Sequence, residues 1–202
     1  DTSVTRAMDA MKSLKDTGRS HRRIMVLEVM GRHAGWVALF TGISSGADWI
    51  LIPEVKTNFG KMYQHLLDVY KRKKYALVVT SEGIEMPEMK IEKEKLDQFG
   101  HMVLRKRRVG ENLAQLINEK TGIETRSAVI GHMQRGGPPT LFDRILGTRC
   151  GVKAADLIAQ EKFGRMVALR GNEIIDISLD EAVTKLKTVD ERWWNLAKVF
   201  FK

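Results

Sequence analysis

Residues 24–52 read IMVLEVMGRHAGWVALFTGISSGADWILI. Ile24 to Val29 is short and apolar, with charge before it and Gly31 after it, as expected of a strand buried on both faces. A helix follows from about Ala34. It is apolar from Trp36 to Ile43, and glycines at 35, 42 and 46 permit close approach of its backbone to a neighbouring element. Trp49 to Ile52, closed by Pro53, is a second strand. Strands alternating with helices in this way argue for a parallel sheet covered by helices and joined by right-handed crossovers.

The same alternation continues outward. Upstream, Val4, Ala7, Met8, Met11 and Leu14 recur at helical spacing, which predicts an amphipathic helix from Thr2 to Leu14 stopped by Gly18. Downstream come a helix over Phe59 to Tyr70, a strand over Tyr75 to Thr80, and a polar surface insert over 83–110. A helix from Glu111 to Glu119 capped by Gly122, a strand from Glu124 to Ile130, a glycine-rich turn and a helix from Asp143 to Ala159 follow. Met166 to Leu169 and Ile174 to Ile177 read as a hairpin, and a short helix with Arg192 to Phe201 closes the chain. The fold class is α/β: one domain with a parallel sheet sandwiched by helices in a Rossmann-like three-layer arrangement, plus a small C-terminal hairpin and helix. Residues 164–202 form a tail.

The 202 residues carry 34 Lys and Arg against 25 Asp and Glu, a net charge of +9, with 43% hydrophobic and 29% charged residues. That balance excludes a disordered tail, a collagen-like chain and a disulfide scaffold. One cysteine, Cys150, allows no intramolecular disulfide and fits a reducing cytoplasm. It lies within a helix and reads as a small buried side chain. The sequence has no apolar run of membrane-spanning length and no secretory signal, so a cytoplasmic location and no membrane partner are expected. The basic runs KRKK at 71–74 and RKRR at 105–108 have no aromatic interleaving, read as solvated faces and give little reason to expect nucleic acid. His21, His65 and His101 lack partners at metal-ligand spacing and read as surface residues, and no metal site is expected in the chain. Walker A and GxGxxG patterns are absent.

In open α/β sheets ligands bind beyond the carboxyl ends of the strands. Three junctions there combine glycine with charge: Met30, Gly31 and Arg32; Glu82 and Gly83; and His132 to Gly137. Arg32 and Arg135 offer planar forks to phosphate oxygens, His132 donates to the same anion, and Glu82 accepts from hydroxyls. Such a set suits a phosphorylated polyol. Arg23 and Arg126 stand at the opposite ends of their strands, and at about 3.3 Å per residue Arg23 lies roughly 20 Å from Met30. They are either structural or serve a site on a neighbouring subunit.

The segments SHRRIMVLEVMGRHAGWVALFTGISSGADWILIPE, VVTSEG and TGIETRSAVIGHMQRGGPPTLFDRILGTRCGVKAADLI, with the tail near KLKTVDERWWNLAKVFF, resemble the 6-phosphofructokinase family over nearly the whole chain. The resemblance implies phosphoryl transfer to the 1-hydroxyl of fructose 6-phosphate, with Mg²⁺ and with ATP or pyrophosphate as donor; family frequency favours ATP. It implies that Met30, Gly31 and Glu82 hold the sugar, that His132 and Arg135 grip its 6-phosphate, and that Arg32 steadies the transferring phosphoryl group. Arg23 and Arg126 match family arginines that reach across a subunit interface, so a homodimer or homotetramer is expected, with allosteric behaviour as in the family.

The family's GGDGS-like donor loop and TIDND-like segment carrying the general base do not occur in this sequence. The chain is therefore expected to be the sugar-binding portion of such an enzyme. The Mg²⁺ ligands would lie elsewhere, a separate N-terminal chain is a possible partner, and the tail would pack back toward the missing domain. The isolated chain is expected to be inactive. A non-catalytic sugar-phosphate-binding or regulatory module is the alternative.

Overall fold

The computed structural model describes residues 1–86 and 108–201. They fall into two compact units, one formed by Asp1–Thr2 with Gly137–Lys187 and the other by Ser3–Gly136 with Thr188–Lys202. One domain is expected from the sequence, whose alternation of elements gives no sign of this division. The break falls in the stretch Gly136, Gly137, Pro138, Pro139, ahead of the helix Leu141–Ala159, where backbone restrictions disfavour continuing an element. The tail is divided as well, its first part in one unit and residues 188–202 in the other.

The larger unit is built on four parallel strands, β1 (Ile24–Val29), β2 (Trp49–Leu51), β3 (Ala76–Ser81) and β4 (Thr125–Val129), in the order β2-β3-β1-β4. Every residue of β1 and β3 is buried. The alternation of side chains divides them between two cores. Ile24, Val26, Ala76 and Val78 join Met62, Leu66 and Val69 of α3 (Phe59–Lys73) and Val109, Leu113 and Ile117 of α4 (Val109–Thr121). Met25, Leu27, Val29, Leu77 and Val79 join Ala7 and Met11 of α1 (Thr2–His21) and Ala38 and Leu39 of α2 (Trp36–Ser45). This is the three-layer α/β arrangement expected from the sequence.

Glycine settles how closely α2 packs. A Cβ on Gly35 or Gly42 would collide with Ile52 or Ile50, whereas Gly46 (φ 66°) ends the helix in the left-handed conformation. The expected stop at Gly18 is not observed: α1 continues to His21 and ends where Arg22 turns to φ 53°. Gly18 is buried inside the helix, and a Cβ there would meet Met25 Cγ at 2.8 Å. Packing against β1, rather than helix termination, accounts for that glycine. Glu54 fastens the end of the unit: its carboxylate accepts the amide of Gly35 at 3.0 and 3.1 Å and that of Val189 at 2.9 Å. Helix α7 (Glu191–Ala197) follows, and Trp193 meets Phe40 edge to face at 5.0 Å.

The smaller unit contains α5 (Leu141–Ala159), the antiparallel hairpin β5 (Arg165–Arg170) and β6 (Glu173–Ser178), and α6 (Leu179–Thr184). Thr140 caps α5 by accepting the Asp143 amide, and Asp143 Oδ2 in turn accepts the amide and hydroxyl of Thr2 at 2.8 and 2.5 Å. These bonds hold the Asp143 carboxyl below its usual range. The hairpin pairs Met166 with Ile177 and Leu169 with Ile174, with Gly171 (φ 61°) at its turn.

Candidate functional site

Strands β3, β1 and β4 lie side by side and run the same way, so their carboxyl ends release three loops at one end of the sheet. Met30, Gly31 and Arg32 leave β1, Glu82 and Gly83 leave β3, and a 3₁₀ turn of Gly131–Arg135 leaves β4. Six of the eight residues singled out from the sequence, Met30, Gly31, Arg32, Glu82, His132 and Arg135, therefore occupy neighbouring loops.

Hydrogen bonds knit the loops together. The Gly31 amide donates to Glu82 Oε1 at 3.3 Å, and the Gly31 carbonyl accepts the Gly83 amide at 3.1 Å and the Ser81 hydroxyl. The Glu82 amide donates to the carbonyl of Val29 at 3.0 Å. The Met30 amide donates to Gln134 Oε1 at 3.2 Å. The sequence reading looks to these glycines to bring backbone amides toward a ligand. In the structure the Met30 and Gly31 amides are instead taken by Gln134 and Glu82, and what the glycines provide is closeness between loops. A Cβ on Gly83 would fall on the Arg32 carbonyl oxygen, and one on Gly31 would lie 2.8 Å from the Ala34 carbonyl oxygen.

In a 3₁₀ helix side chains three residues apart lie one above the other. His132 and Arg135 have that spacing, and both are exposed. Between them Gln134 turns inward and is 2% exposed. Arg32 is half-buried on the adjoining loop. Three cationic or donor groups and the Glu82 carboxylate thus surround one end of the sheet. This arrangement can bind a phosphate through guanidinium and imidazole groups and orient hydroxyls through the carboxylate.

Arg23 and Arg126 lie at the opposite end. Arg23 Nε stands 2.8 Å from Glu124 Oε2, an ion pair whose N–H is turned off the hydrogen-bond direction. Arg126 approaches Glu124 Oε1 with Nη2 at 2.8 Å and Nε at 3.2 Å. The two arginines hold the Glu124 carboxyl below its usual range, Arg23 contributing most.

Three residues that the sequence reading leaves without a role belong to this framework: Glu28, Ser81 and Gln134. Glu28 had a signal, an acid inside the apolar run IMVLEV. Its carboxylate is buried on β1 and accepts the Gly110 amide at the start of α4 at 2.6 Å. Gln134 had a weaker signal, as the uncharged polar residue within GHMQRGG.

Other expectations need correction. His65 is half-buried rather than a surface residue, with its ring 5.6 Å from Trp49 and Nε2 buried without a hydrogen-bond partner. Cys150 is half-buried rather than buried, because α5 presents most of its surface to solvent. Of the run 71–74, Lys73 is not merely solvated: its Nζ lies 2.7 Å from Oδ1 of the buried Asp48. His21 is exposed, whereas His101 and residues 105–107 lie outside the described residues. Among the described residues no group of three or more His, Cys, Asp or Glu stands together as a metal site. Among those residues, too, no helix is long and apolar enough to cross a membrane.

Residues 1–158 match the family model described as Phosphofructokinase. The chain belongs to the phosphofructokinase family. It is similar to the pyrophosphate--fructose 6-phosphate 1-phosphotransferase of Dictyoglomus thermophilum, with 43% identity over 205 residues covering 100% of this chain and 59% of that protein. It is also similar to ATP-dependent 6-phosphofructokinase 3 of Bacteroides thetaiotaomicron, with 44% identity over 192 residues covering 95% of this chain and 52% of that protein. The phosphofructokinase structure from Saccharomyces cerevisiae matches with a TM-score of 0.70 and 28% identity, covering 90% of this chain and 23% of that one. A pyrophosphate-dependent phosphofructokinase structure from Marinobacter aquaeolei shares the fold, with a TM-score of 0.76 at 23% identity over 95% of this chain and 49% of that one. The chain thus spans between half and three fifths of the length of these two curated relatives.

Proposed function

We infer that this chain supplies the sugar-phosphate site of a 6-phosphofructokinase. The observation that carries the reading is the convergence of Arg32, Glu82, His132 and Arg135 on one end of the sheet, with their loops tied through the amides of Met30 and Gly31. In this reading fructose 6-phosphate lies across the carboxyl ends of β3, β1 and β4. Glu82 accepts from sugar hydroxyls beside Met30 and Gly31, and His132 and Arg135 bind the 6-phosphate. Arg32 steadies the phosphoryl group in transfer, where charge stabilisation does most of the catalysis. Arg23 and Arg126 lie too far from that pocket to serve it, and in a homodimer or homotetramer they reach the sugar phosphate of a neighbouring subunit.

The donor is ATP, as family frequency favours, with pyrophosphate the alternative that the names of several relatives support. The donor loop and the general base belong to polypeptide outside these residues, either contiguous with the chain or a separate N-terminal chain. The smaller unit supports a polypeptide partner. In the nineteen residues of α5 Leu157 is the buried one, while Leu141, Phe142, Ile145, Val152 and Ile158 are all at least half exposed. An apolar helix surface of that extent is normally covered by protein.

Calorimetric titration with fructose 6-phosphate tests the reading. The chain is expected to bind it, and Arg135→Ala to weaken binding about 10- to 100-fold, the usual worth of charge-assisted hydrogen bonds. A coupled assay with either donor is expected to give no turnover from the chain alone. Absence of binding in both forms rejects the reading, and turnover by the isolated chain rejects the need for further polypeptide.

A further inference from the structure

We propose that Gln134 is a positioning residue of the sugar-phosphate site. The assignment rests on the reading of that site given above and identifies what aims its phosphate-binding groups. The 3₁₀ turn Gly131–Arg135 is short and largely exposed, Met133 within it being 78% exposed. Its backbone bonds are local, from the Met133 amide to the Ile130 carbonyl at 3.0 Å and from the Gly136 amide to the Met133 carbonyl at 3.2 Å. Bonds of that kind close the turn; the Ile130 amide just before it reaches the Glu28 carbonyl of β1 at 3.4 Å, which holds the start of the turn but not the direction of the residues beyond.

Gln134 supplies the rotational constraint. It is the buried residue of the turn, and its Oε1 receives the amide of Met30, 104 residues away on the loop after β1. In 3₁₀ geometry, turning residue 134 inward leaves residues 132 and 135 together on another side. One bond thus sets the direction of both His132 and Arg135 and ties them to the loop that carries Gly31 and Arg32. Neutrality matters too: a carboxylate at 134 would accept the same amide but would place a negative charge behind a phosphate.

The test combines two measurements on the native chain and on Gln134→Met, which keeps side-chain length and loses the acceptor. Hydrogen exchange of the Met30 amide is expected to speed up at least about 10-fold in Gln134→Met and to return toward native protection in Gln134→Glu. Fructose 6-phosphate affinity, read by calorimetry, is expected to fall about 10-fold in Gln134→Met. It is expected to fall little further when Gln134→Met is added to Arg135→Ala, since residues that act through one another are not additive.

Independent, additive losses would overturn the assignment, because they would show that Gln134 does not act through Arg135. Native-like binding by Gln134→Met would overturn it as well. If Gln134→Met fails to fold, Gln134→Asn, whose acceptor is one methylene short, carries the same cycle. If the native chain does not bind fructose 6-phosphate, the reading of the site falls and this assignment with it. Native binding combined with unchanged binding by the variant removes the assignment alone.

Discussion

The buried carboxylate of Glu28 accepts the backbone amide of Gly110 at 2.6 Å, joining the penultimate residue of β1 to the first turn of α4. Burial pushes the Glu28 carboxyl above its ordinary value of 4.5; the Gly110 amide opposes that shift, and the nearby Glu82 and Glu111 charges add to it. The folded chain therefore holds a proton on Glu28 that the unfolded chain has already released. Stability falls as pH rises from about 4.5 through the raised value. Glu28→Gln, which keeps an acceptor for Gly110, is expected to remove this dependence, and denaturant titrations of both proteins across that range measure it. Glu28→Ala leaves the Gly110 amide without its acceptor and is expected to cost about 1–3 kcal/mol.

Glu124 competes with any anion for Arg23 and Arg126, because its carboxylate occupies both guanidinium groups. Glu124→Gln is expected to tighten binding of inorganic phosphate to these arginines about 2- to 5-fold, with the gain shrinking as salt is raised. The arginines lower the pKa of Glu124, so the difference between the proteins is expected to persist from pH 5 to pH 8. Calorimetry with phosphate at two salt concentrations decides it; equal affinities at low salt count against the competition.

Gly83 and Gly60 predict opposite outcomes for the same substitution. A Cβ on Gly83 falls on the Arg32 carbonyl oxygen and lies 2.7 Å from that of Gly31, both backbone atoms in the candidate site. Gly83→Ala is expected to destabilise by about 1–3 kcal/mol and to weaken fructose 6-phosphate binding. On Gly60, in the exposed first turn of α3, the nearest atom is Asn58 Oδ1 at 3.5 Å. Gly60→Ala is expected to stabilise by about 0.4–1 kcal/mol. Chemical denaturation of the two variants beside the native chain checks both signs.

His65 is expected to make the fold sensitive to mild acid. Burial holds its pKa below 6.5, Asp48 pulls it upward, and Arg72 pushes it down. As pH falls below 6.5 the unfolded chain takes up the proton first, so stability drops until the folded form is protonated as well. His65→Phe keeps an aromatic ring beside Trp49 and is expected to lose less of its melting temperature than the native chain between pH 7.5 and pH 5.5. A larger loss in the variant would exclude His65 as the source.

The strands of the sheet were open to reading because each is a short apolar run bounded by charge, glycine or proline, and such a run has few alternatives in an alternating chain. The end of α1 was not, since Gly18 looks the same in sequence whether it stops a helix or lets Met25 pack against it. The site divides in a similar way. Arg32, Glu82, His132 and Arg135 stand out as charged groups directly after strands. Glu28, an acid in an apolar run, and Gln134, an uncharged residue in a charged motif, show that they are unusual but not what they bond, because their partners are amides 82 and 104 residues distant.

Local pattern and motif were enough for the α/β class, the strand ends that bear charge, and the resemblance to phosphofructokinases. Three further points depended on how the chain packs, and packing governs each of them. It set the order β2-β3-β1-β4, which places three loops next to one another, and it divided the chain at Gly136 and Gly137. It also directed the Met30 and Gly31 amides to Gln134 and Glu82. The physical reason is range: periodicity and capping act over a few residues, whereas a buried polar group is satisfied by whatever donor or acceptor the packed sheet brings within about 3 Å.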